Sequence, residues 1–244
     1  MKIAVISDIH GNLTALESVL PEIEDADKIV CLGDVALVGP QPRGVVTLLR
    51  KMKWPCVLGN TDETLAKSRV EDYSHMQVPQ AERRRMMDLD RWTRTELDDS
   101  DKKFLSRFRP TIRFEEGDFS LLCYHGSPRS NTEGILPTTS EEQLTDIFAG
   151  RKATIFAGGH THSQMIRKFG ASIIINPGSI GLPYFTDGAG KAKNPCWAEF
   201  AMLTTSKGNV AVEVRRVRYN LGELKEAVQR CGMPDPDWWL ADWL

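Results

Sequence analysis

The sequence predicts an α/β fold, and three observations predict it. Short apolar runs rich in β-branched residues recur along the chain, each bounded by glycine or polar turn residues. Stretches with apolar residues at helical spacing separate many of them, the order expected of parallel strands joined by helices. Most of the runs also end alike, in a small residue followed by a side chain that can hold a metal ion.

Residues 3–6, Ile-Ala-Val-Ile, read as a strand buried on both faces at the centre of a parallel sheet. The strand runs into Asp8 and His10, an oxygen ligand and an imidazole two residues apart, and Gly11 then allows a sharp turn. This is the carboxyl end of a strand, where open α/β sheets bind ligands. Thr14 and Glu17 form a capping-box pattern, and Leu13, Leu16, Val19, Leu20 and Ile23 follow helical spacing. Pro21 is expected to kink or end that helix. A second strand run, 28–32, ends in Gly33-Asp34; residues 39–42 read as a loop and 45–52 as a short helix. A third run, 56–58, ends in Gly59-Asn60-Thr61-Asp62.

Residues 63–108 change character: they are charged and almost free of strand runs, with helical patterns over 81–87 and 100–108. They read as a helical insertion within one domain spanning residues 1–244. The run Arg83-Arg84-Arg85 reads as a solvated helix face before it reads as a phosphate contact, and His75 as a surface histidine. A strand over 119–124 ends in His125-Gly126. Ser140 and Gln143 make a capping box for a helix over 138–148. Strands over 153–157 and 172–175 end in Gly158-Gly159-His160-Thr161-His162 and Asn176-Pro177-Gly178-Ser179. Residues 198–203 and 210–219 alternate about Lys207-Gly208-Asn209, which predicts an antiparallel hairpin with one wet face. A closing helix follows over 221–230. Trp238, Trp239 and Trp243 read as cover for a sheet face ahead of a partner subunit.

The balance of 31 basic and 33 acidic residues leaves a net charge of −2, so no global field draws the chain to nucleic acid or membrane. No apolar run approaches the ~20 residues of a membrane span, and the strand at the very start predicts that there is no signal peptide. The five cysteines are odd in number, scattered and without a C-x-x-C pair, and Cys31, Cys56 and Cys123 fall inside apolar runs. This usage predicts a reduced, cytoplasmic protein.

Four of the five histidines, His10, His125, His160 and His162, follow strand runs at small-residue turns. With Asp8, Asp34 and Asn60 they make a set of seven N and O ligands. Seven are too many for one tetrahedral zinc and suit two ions, one ligand bridging. A bridge needs two carboxylate oxygens, so it falls to Asp8 or Asp34 and not to Asn60. Two divalent ions against two carboxylates and a hydroxide leave the site positive, which suits a phosphate. Ions ~3.5–4 Å apart can hold the attacking and leaving oxygens of an in-line displacement.

Asp8-Ile9-His10, Gly33-Asp34, Gly59-Asn60-Thr61-Asp62, His125-Gly126 and Gly159-His160-Thr161-His162, in that order, resemble the calcineurin-like metallophosphoesterases. DIHGN, GHTH and NPGS together resemble the small bacterial and archaeal phosphodiesterase branch. The resemblance covers residues 2 to about 179. It implies a four-layer αββα sandwich of two mixed sheets, although the sequence by itself does not give the second sheet. It implies that Asp8, His10, Asp34 and His162 bind one ion and that Asp34, Asn60, His125 and His160 bind the other. Asp34 then bridges, and a metal-bound hydroxide is the nucleophile. Asp8, His10, Asp34, Asn60 and His125 are thereby implied in catalysis. The ions are divalent manganese, iron, zinc, cobalt or nickel, which the ligand types do not separate.

In the better-known branch a histidine that contacts phosphate and assists the leaving group stands where this chain has Thr61. Threonine is no general acid near neutral pH, which favours diesters over alkyl monoesters. Asp62 is open to two readings, orienting a ligand or completing a turn. Asn12 is open to a phosphate contact or a helix cap. Arg129 is open to a phosphate contact or a surface ion pair. The expected activity is phosphodiester hydrolysis, with a nucleotide among the candidate substrates. The alternatives are a phosphatase acting on monoesters, dinucleoside polyphosphates or phosphoproteins, and a metal-binding scaffold without turnover, since the same fold serves as a protein-binding subunit in retromer. No membrane partner and no strong nucleic-acid signature are evident, and a homo-oligomer is left open.

Overall fold

A computed structural model describes residues 1–68, 70, 73–74 and 78–244; the reading of His75 falls outside them. In chain order the elements are β1 (Lys2–Ile6), α1 (Leu13–Ile23), β2 (Lys28–Cys31), α2 (Pro42–Met52), α3 (Asn60–Ala66), α4 (Gln80–Glu96) and α5 (Asp99–Leu105). Then come β3 (Ile112–Glu116), β4 (Phe119–Cys123), α6 (Glu141–Ile147), β5 (Ile155–Ala157), β6 (Met165–Phe169) and β7 (Ser172–Asn176). The chain closes with β8 (Phe185–Thr186), β9 (Ala192–Lys193), β10 (Trp197–Ser206), β11 (Asn209–Arg218), α7 (Leu221–Arg230) and α8 (Pro236–Leu240).

Two mixed sheets result, ordered β11-β10-β1-β2 and β3-β4-β5-β7-β6, with a small β8-β9 ribbon beside them. The two-residue period of β1 explains how they stack. Ile3 and Val5 face inward with Val30, Leu32, Ala201 and Leu203 against Leu121, Cys123, Ile155, Ala157 and Ile175 of the second sheet. Ala4 and Ile6 point the other way, onto Leu16 and Val19 of α1 and Val46 and Leu49 of α2. On the far side, Leu122, Phe156 and Ile174 meet Leu144 and Ile147 of α6. The layers are therefore helix, sheet, sheet, helix, and the four apolar residues of β1 are fully buried because each has a layer to face. No described helix is long and apolar enough to cross a membrane.

Several local expectations change. Asn12, not Thr14, caps α1: its side chain accepts from Ala15 N, while Thr14 turns to Gln41. Pro21 lies in the last turn of α1, which ends two residues later at Ile23. Pro42 opens α2 at its first position, where a missing N–H costs nothing, so that helix starts three residues earlier than the pattern indicates. The run at 56–58 makes only isolated bridges, Cys56 to Cys31 and Val57 to Arg109. The strands β3 and β6 went unread because both are charged edge strands without an apolar run. The β10–β11 hairpin is wet on β11 alone; β10 lies inside the sheet between α1 and the second sheet and is buried on both faces. The tryptophan tail does not cover a sheet. Trp239 and Trp243 pack with Leu89 of α4 and Leu224 and Val228 of α7. Arg85 leans over the Trp238 ring and lies 3.4 Å from Asp235, so it joins the tail to α4.

Candidate metal centre

The loop after β1 and the loop after β2 run side by side and extend the parallel pairing beyond the sheet. Asp8 N donates to Gly33 O (3.0 Å), His10 N to Asp34 O (2.9 Å) and Gly11 N to Val35 O (2.8 Å). Asp62, in the first turn of α3, clasps the second loop to the third. Its Oδ2 accepts from Asp34 N (2.8 Å) and Gly59 N (3.1 Å), and its Oδ1 accepts from Val35 N (3.0 Å). A Cβ on Gly59 would lie 2.1 Å from Asp34 Oδ1, so only glycine lets these loops meet. From the second sheet, β4 delivers His125 and β5 delivers His160 and His162. His160 N donates to Asp8 Oδ2 (3.0 Å), which joins the two sheets at the site.

The side chains gather into two groups, Asp8, His10 and His162, and Asp34, His125 and His160. In each group one candidate atom per residue lies within 4.8 Å of the others. Three imidazoles are held by their Nδ1 atoms: His10 on Leu37 O (3.0 Å), His125 on Leu32 O (2.8 Å) and His162 on Leu182 O (2.8 Å). A carbonyl only accepts, so each Nδ1 carries a proton and each ring turns its Nε2 into the site, with a free lone pair there wherever the ring is neutral. His10 Nε2 and His162 Nε2 then face each other at 3.1 Å, and Asp8 Oδ1 is buried beside them without a hydrogen-bond partner, 3.3 Å from His162 Nε2. Ring nitrogens converging on an orphaned carboxylate oxygen need a proton or a metal ion between them, and N and O donors of this kind fit a divalent transition ion.

Asp34 Oδ2 lies 3.4 Å from His125 Nε2 and 3.9 Å from His10 Nε2, so it stands between the two groups. Asn60 Oδ1 is 3.1 Å from His125 Nε2. Burial opposes charge on His125, but the Asp34 carboxylate outweighs it and holds the imidazolium up to about 10. Burial likewise opposes ionisation of Asp34, yet His125 and His10 hold its carboxyl far below the usual range. In the other group burial opposes both charged rings. Asp8 raises His162, and the charge of His162 adds to burial in lowering His10, so one proton fits between them. Burial and the Asp34 charge push Asp62 up to about 7, against the pull of its N–H donors.

The structure thus brings Asp8, His10, Asp34, Asn60, His125, His160 and His162 together. Thr61 joins them through its backbone, its N–H donating to Asp34 Oδ1 (3.0 Å), while its buried hydroxyl lacks a partner. Two of the residues read as substrate contacts are committed elsewhere. Asn12 is fully buried, caps α1 and donates to Gly181 O and Tyr219 Oη. The Arg129 guanidinium is taken up by Glu133 (2.6 and 2.8 Å) and Asp146 (2.7 Å). Sequence reasoning also missed the supports. Asn176 Nδ2 donates to Gly159 O and Thr161 Oγ1, and Ser179 Oγ donates to Asp8 O. The Asn-Pro-Gly-Ser motif thus props the loops that carry the ligands. Its signal was visible as a motif, whereas the carbonyls of Leu32, Leu37 and Leu182 left no signal.

The sequence profile of the calcineurin-like phosphoesterase superfamily domain matches residues 1–207. An uncharacterised protein of Methanocaldococcus jannaschii is 26% identical over an alignment of 259 residues that covers 98% of this chain and 96% of that protein. The crystal structure of a metallophosphoesterase from Sphaerobacter thermophilus is 25% identical and superposes with a TM-score of 0.71, covering 99% of both chains. A hypothetical protein from Pyrococcus horikoshii, 19% identical over 96% of this chain and 94% of its own, has the same fold at a TM-score of 0.78. Two mixed sheets deliver the ligands from both sides, and the profile spans the chain from its first residue to the end of β10, so this chain belongs to the calcineurin-like phosphoesterase superfamily.

Proposed function

We propose that this chain hydrolyses phosphate diesters at a centre of two divalent ions. The reading rests on the convergence of seven N and O donors in which lone pairs face one another, with Asp34 Oδ2 within 4 Å of a ring nitrogen from each group. Asp8, His10 and His162 would hold one ion, Asn60, His125 and His160 the other, with Asp34 shared. When bound, such a pair supplies Lewis acidity to a phosphoryl oxygen and lowers the pKa of water at the site. The three Nδ1–carbonyl bonds fix ring orientation before any ligand arrives, so little reorganisation is left for binding. Asp8 and Asp34 only partly offset the charge of two dications, and the net positive centre favours a phosphate.

The diester preference comes from Thr61. A hydroxyl cannot protonate a poor leaving group near neutral pH, so substrates with good leaving groups or their own proton donor are favoured. The five cysteines are free thiols, which suits a reducing compartment and a cytoplasmic location. The test compares an activated aryl phosphodiester with the matching monoester. Protein stripped by chelator is refilled with manganese, zinc, cobalt, nickel or, anaerobically, ferrous iron. Metal-dependent turnover that prefers the diester, lost in His125→Ala and Asp34→Ala, is expected. Retained turnover in both variants overturns the assignment of the site, and monoester preference overturns the role given to Thr61.

A further inference from the structure

Among the described residues, two aromatic side chains stand more than a third exposed, and they are consecutive: Tyr184 at 51% and Phe185 at 41%. They open the β8–β9 ribbon, in which Phe185 pairs with Lys193. The Tyr184 ring lies 6.3 Å from the His162 ring, centroid to centroid, tilted by 58°. His162 is the most open of the charged-pair ligands around Asp8, so Tyr184 flanks the mouth of the centre on that side.

The segment that carries Tyr184 is tied to the ligands themselves. Leu182 O accepts the Nδ1–H of His162, Leu182 N donates to Ser179 Oγ (2.8 Å), and Gly181 N donates to Asp8 O (3.0 Å). A Cβ on Gly181 would fall 1.8 Å from Ile9 O, so the backbone here is pressed against the first ligand loop. At the other end, Lys191 and Lys193 both reach Asp242 (2.7 and 2.9 Å), and Asn194 N donates to Asp242 O (2.8 Å). The backbone around Tyr184 is anchored on both sides, yet half of the side chain faces solvent. A ring carried on an anchored backbone beside the ligand groups and left half uncovered presents a π-face to whatever extends from a phosphate bound there.

We infer that Tyr184 is a stacking residue, and that the esters taken by this site carry a nucleobase or similar planar ring one sugar away from phosphorus. The inference rests on the phosphoesterase reading for the position of the phosphate. The phosphate lies at the ligand groups, and the ring of the substrate lies over Tyr184 on the His162 side. Specificity then comes from the face of a ring and not from its hydrogen-bonding edge, so different bases are accepted with modest differences.

The test uses the full chain loaded with metal and measures binding by calorimetry, with thymidine 5′-monophosphate and ethyl phosphate as probes. Wild type binds the nucleotide more tightly than ethyl phosphate. Tyr184→Ala weakens the nucleotide by about 5- to 160-fold, the size of one aromatic–base stack, and changes ethyl phosphate by less than about two-fold. Tyr184→Phe keeps nucleotide affinity, since the ring and not the hydroxyl is used. Turnover of the p-nitrophenyl ester of thymidine 5′-phosphate against ethyl p-nitrophenyl phosphate gives the second readout, and Tyr184→Ala lowers their kcat/KM ratio by a similar factor. Equal binding of the two probes by wild type, equal loss of both in Tyr184→Ala, or loss in Tyr184→Phe overturns the inference. Tyr184-dependent binding without hydrolysis of any ester overturns the hydrolase reading and leaves the stack standing. Hydrolysis with no dependence on Tyr184 does the reverse.

Discussion

Replacing Asp62 by alanine removes the side chain that clasps two ligand loops together, and the structure gives the size of the effect. Asp62 is fully buried and accepts three backbone N–H groups, from Asp34, Val35 and Gly59. Each donor left unsatisfied costs roughly 1–3 kcal/mol, and relaxation or an entering water recovers part of that. A loss of about 3–5 kcal/mol follows, which for a chain of this length lowers the melting temperature by roughly 6–20 °C. Asp62→Asn keeps one oxygen, on which two of the three donors converge, and turns an amide N–H₂ toward the third, so its loss falls between those of wild type and alanine. The clasp also holds Asp34 in the left-handed region, at φ 53°, so metal affinity falls by about 10- to 100-fold, as expected when a ligand loses its support. The assay is thermal unfolding in chelator at pH 6 and at pH 8.5, followed by metal titration; because burial raises Asp62 to about 7, its ionised form opposes folding, so the loss on alanine substitution is larger at pH 6 than at pH 8.5. An alanine variant that melts within about 2 °C of wild type and binds metal equally well would refute the clasp.

Three further outcomes are expected. His125 is raised to about 10 in the metal-free protein, so at pH 8 it holds a proton that metal must displace. Loading should release about one proton from this residue, read as a buffer-dependent heat in Tris against HEPES. The same shift, upward from the ordinary histidine value, stabilises the metal-free fold below that ordinary value and is lost as pH rises through about 10. Thr61→His places a proton donor beside Asp34, and the monoester-to-diester ratio of kcat/KM should rise by about 10-fold or more; an unchanged ratio would show that Thr61 does not set the preference. At His162, with φ 53°, glycine should be more stable than alanine by about 1 kcal/mol, reversing the usual order; melting of His162→Gly and His162→Ala in chelator decides it.

The ligand types were legible because a strand that ends at a site leaves a two-part mark, an apolar run and then a polar residue at a tight turn. Asp8, His10, His125, His160 and His162 carry that mark in the sequence, and so does Asp34. The closing helix was read at its full length, Leu221–Arg230, because its apolar face is periodic, and the structure adds Asn220 as its cap. The second sheet was not legible, since half of its pairing lies on β3 and β6, whose charged edge positions carry no apolar run. Arg129 and Asn12 each stood open between two readings. Each stands beside a motif, and sequence proximity does not reveal that Glu133, Asp146 or the first turn of α1 takes the side chain first. The fate of the tryptophan tail depended on α4, a helix from the far side of the chain.

The backbone at the ligands explains why so much support surrounds them. Asp8, His10, Asp34, His160 and His162 all have φ between 47° and 67°. Such a conformation costs a non-glycine residue roughly 1–2 kcal/mol, so five of them approach the net stability of a whole domain. Local preference therefore works against the site, and bonds between loops must oppose it. They are the backbone pairs from Asp8, His10 and Gly11 to the second loop, the Asp62 clasp, and the three Nδ1–carbonyl contacts. Those bonds position the donors, but they also press like lone pairs together, as at His10 and His162. A shared proton relieves that last conflict in the metal-free protein and a metal ion does so in its place, so binding energy from the ions returns to the fold, and metal loading and thermal stability are coupled through the same loops.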